Sequence, residues 1–177
     1  YQKALELKEQ YGYTFVHPFD DEDVIAGQGT VALEILEDMP KVDAIVVPIG
    51  GGGLIAGLAY AVKNLKPDCR VVGVQAAGAP SMAESLKKGE IITLSSVDTV
   101  ADGIKVKTPG DLTFDMCRKY VDEVVTVTEG EIASATISTT TANMIDVKII
   151  VPADVGGFIV REAAIYSEDG TMIAVCN

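Results

Sequence analysis

The sequence is poor in basic residues, cysteine and histidine, and it has no long apolar run. Its 14 lysines and arginines stand against 26 acidic residues, and the formal charge of -12 repels nucleic-acid phosphates and anionic lipid head groups. No stretch approaches the roughly 20 apolar residues that span a bilayer, and the start lacks the apolar core of a signal peptide. We therefore predict a cytoplasmic protein with neither nucleic acid nor membrane as a partner.

The few cysteines and the single histidine give no sign of a metal or nucleophile site. Cys69, Cys117 and Cys176 are odd in number and lack paired zinc-site spacing, which favours buried thiols over disulfides. His17 lies beside a proline in a predicted loop, where a packing or hydrogen-bonding group is more common than a general base. The acidic run at 20–23 is equally typical of a helix N-terminus, which favours acids through the helix dipole.

Apolar residues are plentiful, at 48% of 177 residues, so the chain can bury a core. The run at 42–49 is typical of a strand buried on both faces, as in a parallel sheet. Predicted strands alternate with predicted helices, which indicates an α/β fold with a doubly wound, mostly parallel sheet. The other predicted strands are 13–16, 70–75 and 124–127. The predicted helices are 1–11, 24–39, 54–65, 81–88, 111–120 and 129–135.

The pattern changes after residue 135. The segment 136–141 is polar and β-branched, and strands are predicted at 147–151, 158–166 and 171–176, the last two joined by a hairpin turn at 168–170. We therefore predict a domain boundary between 135 and 136, followed by a small β-rich C-terminal segment.

Four consecutive glycines, Gly50, Gly51, Gly52 and Gly53, separate the predicted strand at 42–49 from the helix that follows. Bare amides at the positive end of a helix bind anions, and glycine permits both close approach and positive φ. The run lacks the lysine of a nucleotide-triphosphate loop and the spacing of a dinucleotide site. A phosphate site is one explanation, and a tight turn with close helix packing is the other.

Four segments carry a resemblance to a known family. The segments 23–31 (DVIAGQGTV), 47–54 (VPIGGGGL), 101–114 (ADGIKVKTPGDLTF) and 121–127 (VDEVVTV) resemble threonine dehydratases, in the same order. The resemblance covers residues 1–135 and implies part of a tryptophan-synthase-β-like fold with pyridoxal 5'-phosphate (PLP) as cofactor. It further implies an amino-acid substrate and a homo-oligomer, and it leaves the choice between threonine and serine open.

The resemblance also implies roles for individual residues. In this family the glycine loop binds the PLP phosphate, which would assign that role to Gly50, Gly51, Gly52, Gly53 and Leu54. Gly103 matches a family position beside the cofactor ring. Gln75 and Ser81 stand at a family cation site but offer too little negative charge, so we predict no metal.

Two family motifs are missing from these 177 residues. The Schiff-base lysine belongs to a motif of the Ser-x-Lys-x-Arg-Gly kind, and the substrate carboxylate loop is of the Ser-x-Gly-Asn kind. PLP chemistry needs that lysine to hold the cofactor and to move protons. We therefore expect a partial threonine/serine dehydratase, a lyase fragment without a catalytic residue of its own that is inactive alone.

The C-terminal segment resembles a different family. The stretches 150–158 (IVPADVGGF), 160–163 (VREA) and 169–175 (DGTMIAV) are similar to the N-terminal domains of phage tail fibres or tail collars. A divergent dehydratase tail is the other explanation. Three functional hypotheses follow: a fused lyase relic, a non-catalytic structural or phage-associated protein with the α/β part as scaffold, and one domain of a longer enzyme.

Overall fold

The computed structural model describes residues 2–130 and the backbone of four short strands beyond them. The helices are α1 Gln2–Tyr11, α2 Glu22–Asp38, α3 Gly53–Leu65, α4 Ser81–Lys88 and α5 Asp111–Tyr120, with a 3-10 turn at Asp102–Ile104. The strands are β1 Ala44–Pro48, β2 Arg70–Ala76, β3 Glu123–Val127, β4 Ile137–Ser138, β5 Asp146–Val147, β6 Ala164–Tyr166 and β7 Met172–Val175.

The first three strands form a parallel sheet in the order β1-β2-β3. The register runs from Ala44 opposite Arg70, and Val72 lies opposite Glu123 on the other side of β2. Because β2 is the central strand, its Val71 and Val72 are almost fully buried. The predicted α/β fold with a parallel sheet is confirmed, and helices α1 to α5 and strands β1 to β3 each begin and end within two residues of their predicted bounds.

The predicted strand at 13–16 is wrong, because these residues do not join the sheet. Exposure alternates only from Phe15 onward: Phe15, His17 and Phe19 are half-buried between exposed Val16 and Pro18, while Tyr13 and Thr14 are both exposed. Instead of pairing, its half-buried rings contact one another, with Phe15 to His17 at 6.2 Å and His17 to Phe19 at 4.7 Å between centroids. Alternation predicts which side chains face inward, but a strand also needs a hydrogen-bonding neighbour.

Helix α3 lies at the centre of the described core. Its Ile55, Leu58 and Val62 are buried against the apolar side chains of β1 and β2, and each such side chain contributes about 1.5–3 kcal/mol when fully buried. Helix α2 crosses α3 where Gly57 faces Gly29, and a Cβ at Gly57 would collide with the carbonyl oxygen of Ile25. The two glycines therefore set how closely the helices approach.

Asp21, Glu22 and Asp23 of the acidic run at 20–23 begin helix α2, as the helix-terminus interpretation predicts, whereas Asp20 does not contribute to this helix start. The carboxylate of Asp21 accepts hydrogen bonds from the amides of Asp23 and Val24, at 3.0 and 3.1 Å. Glu22 and Asp23 occupy the first turn, where negative charge complements the helix dipole.

Cys69 and Cys117 are buried free thiols, as predicted, whereas Cys176 lies outside the described residues. Beyond residue 130, β6 pairs with β7 in antiparallel fashion, which confirms the predicted hairpin pairing, and β4 pairs likewise with β5. The hairpin turn at 168–170 and the helix predicted to end at 135 fall on residues outside the description. No helix within the described residues is both long and apolar enough to cross a membrane.

Candidate anion-binding site

The glycine run lies at the carboxyl end of β1, where the chain turns into α3. Ile49 extends the pairing with β2 through its amide, which donates to the carbonyl of Val74 at 2.8 Å. Gly51, Gly52 and Gly53 are buried, and Gly52 precedes the helix with a φ of 101°. This positive φ requires glycine at the helix start. The run therefore occupies the edge of a parallel sheet at which ligands of such folds bind.

The amides of this turn have no hydrogen-bond acceptor within the part of the chain that the structure describes. Among residues 2–130, no hydrogen-bond acceptor contacts the amides of Gly50, Gly51 or Gly52. The first amides of α3, beginning at Gly53, also lack intrahelical partners by the geometry of a helix start. A buried amide without a partner costs about 1–3 kcal/mol, and the helix end carries a partial positive charge. An anion bound at this turn would accept hydrogen bonds from these amides and would also compensate the positive charge of the helix end.

Three carbonyl hydrogen bonds fix the direction in which these amides point. The Ile49 carbonyl accepts from Gln75 Nε2 at 3.3 Å, the Gly51 carbonyl from Thr113 Oγ1 at 2.6 Å, and the Gly52 carbonyl from the Ala56 amide at 2.9 Å. All described peptide bonds are trans, so each following N–H points away from its neighbouring carbonyl. The amides of residues 50, 52 and 53 are thereby turned away from the three groups that hold the carbonyls.

Close packing requires glycine here as well. A Cβ at Gly53 would lie 2.9 Å from Phe19 Cβ, and one at Gly52 would lie 2.8 Å from both Met82 Cε and Thr113 Cβ. A Cβ at Gly51 would collide with the ring of Phe19. The two explanations for the glycine run are therefore compatible, because the missing side chains admit protein neighbours while the amides stay available.

The remaining predicted site residues lie at the same turn. Leu54 is in the first turn of α3, and its side chain packs on the hydrophobic core. Gly103, in the 3-10 turn, places its carbonyl oxygen 3.4 Å from the Cβ position of Gly50. The structure thus brings together two glycine segments that lie about fifty residues apart in the sequence.

Sequence reasoning missed Asp20 and Thr113. The Asp20 carboxylate accepts from the amides of Asp111, Leu112 and Thr113 at 3.0 to 3.2 Å, so it occupies the positive end of α5. The amides that remain available to an anion nearby are therefore those of α3 and not those of α5. No local pattern signals this cap, because the two partners are far apart in the chain.

His17 supports the same loop. Its Nδ1 accepts from the amides of Asp20 at 2.8 Å and Phe19 at 3.4 Å, so the ring carries its hydrogen on Nε2. The prediction that His17 is a hydrogen-bonding group is confirmed.

Gln75 and Ser81, which stand at the family's cation position, lie in the core beside the start of α4. Gln75 and Ser81 are both fully buried, and Gln75 Oε1 accepts from the Ala83 amide at 2.8 Å, which caps the start of α4. Within the described residues, no three His, Cys, Asp or Glu side chains are grouped to hold a metal ion.

Lys63 is held away from the glycine turn. Its ammonium contacts the Asp122 carboxylate at 2.7 Å and the Cys69 carbonyl at 2.8 Å, at the opposite end of α3 from Gly53. A helix rises about 1.5 Å per residue, so this lysine is about 15 Å along the helix from the turn.

Comparisons with known proteins agree with this geometry. The L-threonine ammonia-lyase of Thermotoga maritima is 54% identical over 135 residues, which are 76% of this chain and 34% of that protein. The catabolic L-threonine dehydratase of Escherichia coli is 49% identical over 136 residues, covering 77% of this chain and 41% of its own length. The chain thus spans between a third and two fifths of these relatives.

Solved structures show the same fold. The processed threonine deaminase isoform 2 of Solanum lycopersicum superposes with a TM-score of 0.74 at 43% identity, covering 76% of this chain and 39% of that one. Maize serine racemase superposes with a TM-score of 0.72 at 43% identity, and the match covers 74% of this chain and 41% of the racemase chain. Residues 1–157 match the family described as pyridoxal-phosphate dependent enzyme, and the chain belongs to that family.

Proposed function

We propose that Gly50, Gly51, Gly52, Gly53 and Leu54 bind the phosphate of PLP. This proposal rests on the row of amides at the start of α3 that find no acceptor among residues 2–130. A phosphate presents several acceptor oxygens and negative charge, so it matches both the donors and the helix dipole. Gly103 would lie beside the cofactor ring, since its turn already contacts Gly50.

The reaction we propose for the whole enzyme is deamination of threonine or serine to a 2-oxo acid and ammonia. PLP, when bound, acts as an electron sink that makes loss of the α-proton and the β-hydroxyl possible. The residues of the glycine turn would hold the cofactor in place. They would orient the phosphate, and their buried backbone would exclude water from it. The relatives named above act on threonine, which supports this substrate class.

The proton-moving lysine is not part of this contribution. Lys63 forms an ion pair with Asp122, and no Ser-x-Lys-x-Arg-Gly motif occurs in the 177 residues. We therefore propose that these 177 residues alone bind PLP without forming a specific lysyl adduct and release no ammonia. We also propose that the protein is located in the cytoplasm and forms a homo-oligomer. Light scattering of the pure protein measures the oligomeric state.

A PLP titration of the purified chain tests the cofactor site. We expect saturable binding, followed by absorbance, and no site-specific lysyl adduct after borohydride reduction and mass spectrometry. G52A should bind far more weakly, because its Cβ would meet Met82 and Thr113 and its φ is unfavourable for alanine. G27A, on an open face of α2, is the matched control.

The outcomes separate the parts of the proposal. Absence of saturable binding overturns the phosphate site. A specific lysyl adduct, or ammonia released from threonine by pure protein, overturns the proposed inactivity and leaves the phosphate site in place.

A further inference from the structure

Thr113 contacts the glycine turn from another helix. It is fully buried in the first turn of α5, and its hydroxyl lies 2.6 Å from the Gly51 carbonyl oxygen and 3.2 Å from that of Gly110. A hydroxyl has one hydrogen to donate, and the shorter contact is the one to Gly51. The same oxygen accepts a hydrogen bond from the Gly110 amide at 3.0 Å, so the hydroxyl acts both as a donor and as an acceptor.

This hydrogen bond determines where the Gly52 amide points. The Gly51 carbonyl and the Gly52 N–H belong to one trans peptide, so they point in opposite directions. The Thr113 hydroxyl at 2.6 Å and, more weakly, the Gly110 amide at 3.5 Å hold the carbonyl on the α5 side, so the N–H faces the other way. Rotation of this peptide would break the Thr113 hydrogen bond and also turn the Gly52 amide out of the site.

Thr113 itself is held firmly. Its amide donates to Asp20 Oδ1 at 3.2 Å, and the same carboxylate holds the amides of Asp111 and Leu112. Its side chain fits against Gly52, where an added Cβ would lie 2.8 Å from Thr113 Cβ. The hydroxyl therefore has little freedom to follow a displaced carbonyl.

We propose that Thr113 is a positioning residue for the phosphate site, whose hydroxyl holds the Gly51 carbonyl so that the Gly52 amide is directed at the phosphate. This inference rests on the proposed function for its ligand, but its effect on the turn exists without ligand. Thr113 makes no contact with the phosphate in this scheme, since it acts through the Gly51–Gly52 peptide.

Substitutions that separate the hydroxyl from the shape of the side chain test the proposal in the full chain. T113S keeps the hydroxyl, T113A removes it, and T113V replaces it with a methyl group that cannot approach a carbonyl to 2.6 Å. T30V is the matched control, because the Thr30 hydroxyl also donates to a backbone carbonyl, that of Gly27, on the exposed face of α2. We expect T113A and T113V to raise the Kd for PLP by roughly three- to tenfold, the effect of one hydrogen bond, and T113S and T30V to leave it within about twofold.

The position of the turn is measured separately, without ligand, from the glycine amide resonances in a nitrogen-15 correlation spectrum. We expect the Gly52 resonance to move in T113A and T113V and to keep its place in T113S and T30V. A Gly52 resonance that stays in place in both T113A and T113V overturns the inference, as does unchanged PLP affinity in a chain that binds PLP.

The two proposals fail in different ways. If the unmodified chain binds no PLP, the proposed function fails, while the resonance shifts still decide whether Thr113 positions the turn. If T113V does not fold, T113A and T113S carry the comparison, because neither places a methyl group against the carbonyl.

Discussion

Asp20 Oδ2 accepts a hydrogen bond from the amide of Asp111 at 3.0 Å, although 91 residues separate the two in the chain. The other carboxylate oxygen accepts from the next two amides of α5. One side chain from the loop before α2 thereby caps a helix formed much later in the sequence. It also links that helix to the loop whose Phe19 covers the glycine turn.

Removing this cap should destabilise the fold and the site together. We expect D20A to lower the free energy of unfolding by about 1–2 kcal/mol, the usual cost of a lost N-terminal cap. D20N should retain part of the cap through its amide oxygen and lose less. Urea unfolding measures both, with D68A, an exposed position, as the control. Equal stability of D20A and the unmodified chain would contradict the capping role.

His17 should be replaceable by asparagine but not by alanine. H17A removes the acceptor of the Asp20 and Phe19 amides and should cost about 1 kcal/mol of stability. H17N offers an oxygen to amides two and three residues ahead, which asparagine commonly does in turns. Urea unfolding of H17A, H17N and V16A, whose exposed side chain serves as control, decides this. If H17N is as unstable as H17A, the acceptor role is wrong.

The crossing of α2 and α3 should respond very differently to alanine at two glycines. G57A must push Ile25 or Gln28 away, so we expect a loss of about 3 kcal/mol, the upper end of the usual cost of overpacking a tight core. G27A meets no atom within 4 Å and should stabilise the helix by about 0.5–1 kcal/mol. Thermal unfolding of the pair tests this. A G57A protein of normal stability would show that the crossing is not tightly packed.

The Lys63 and Asp122 pair should give a pH-dependent contribution to stability. Burial raises the pKa of the Asp122 carboxyl, but hydrogen bonds from Lys63 and the Val71 amide outweigh burial, so the pKa lies below its ordinary value. A carboxyl with a lowered pKa stabilises the fold above its unfolded pKa, near 4, and loses this effect as the pH falls through the folded value.

We therefore expect D122N to be less stable than the unmodified chain at pH 7 by about 1 kcal/mol, since the pair is partly screened by solvent. The difference should shrink as the pH falls below about 4, and urea unfolding between pH 3 and 7 follows it. D115N, which breaks the exposed pair with Arg118, is the matched control. A constant difference across this pH range would rule out the ion pair as its source.

The buried thiols should be inert in the folded protein. Burial raises the pKa of the Cys117 thiol to about 12, and burial also raises that of Cys69 despite the nearby Lys66 and Lys63. Because the thiolate is the reactive form, iodoacetamide at pH 8 should modify neither cysteine before urea is added and both afterwards. Peptide mass spectrometry reads out each site. Rapid native labelling of Cys117 would show that α5 opens readily.

The sequence determined the helices and the three paired strands of residues 2–130, and it predicts the kind of chemistry at the glycine turn. The run at 42–49 was apolar enough to be a buried parallel strand, and four glycines before a helix indicate anion binding, because both signals are local. The same local reasoning failed at 13–16, where β-branched and aromatic residues favour a strand but the segment does not pair with the described sheet.

Only the tertiary structure decided what holds the turn in place. Gln75, Thr113 and Asp20 act on carbonyls or amides that lie 8 to 93 residues away in the chain. Such contacts leave no periodic signal, because a hydrogen bond depends on distance and direction in space and not on spacing along the chain. The sequence therefore determines which residues supply bare amides at the glycine turn. The tertiary structure determines the direction in which those amides point.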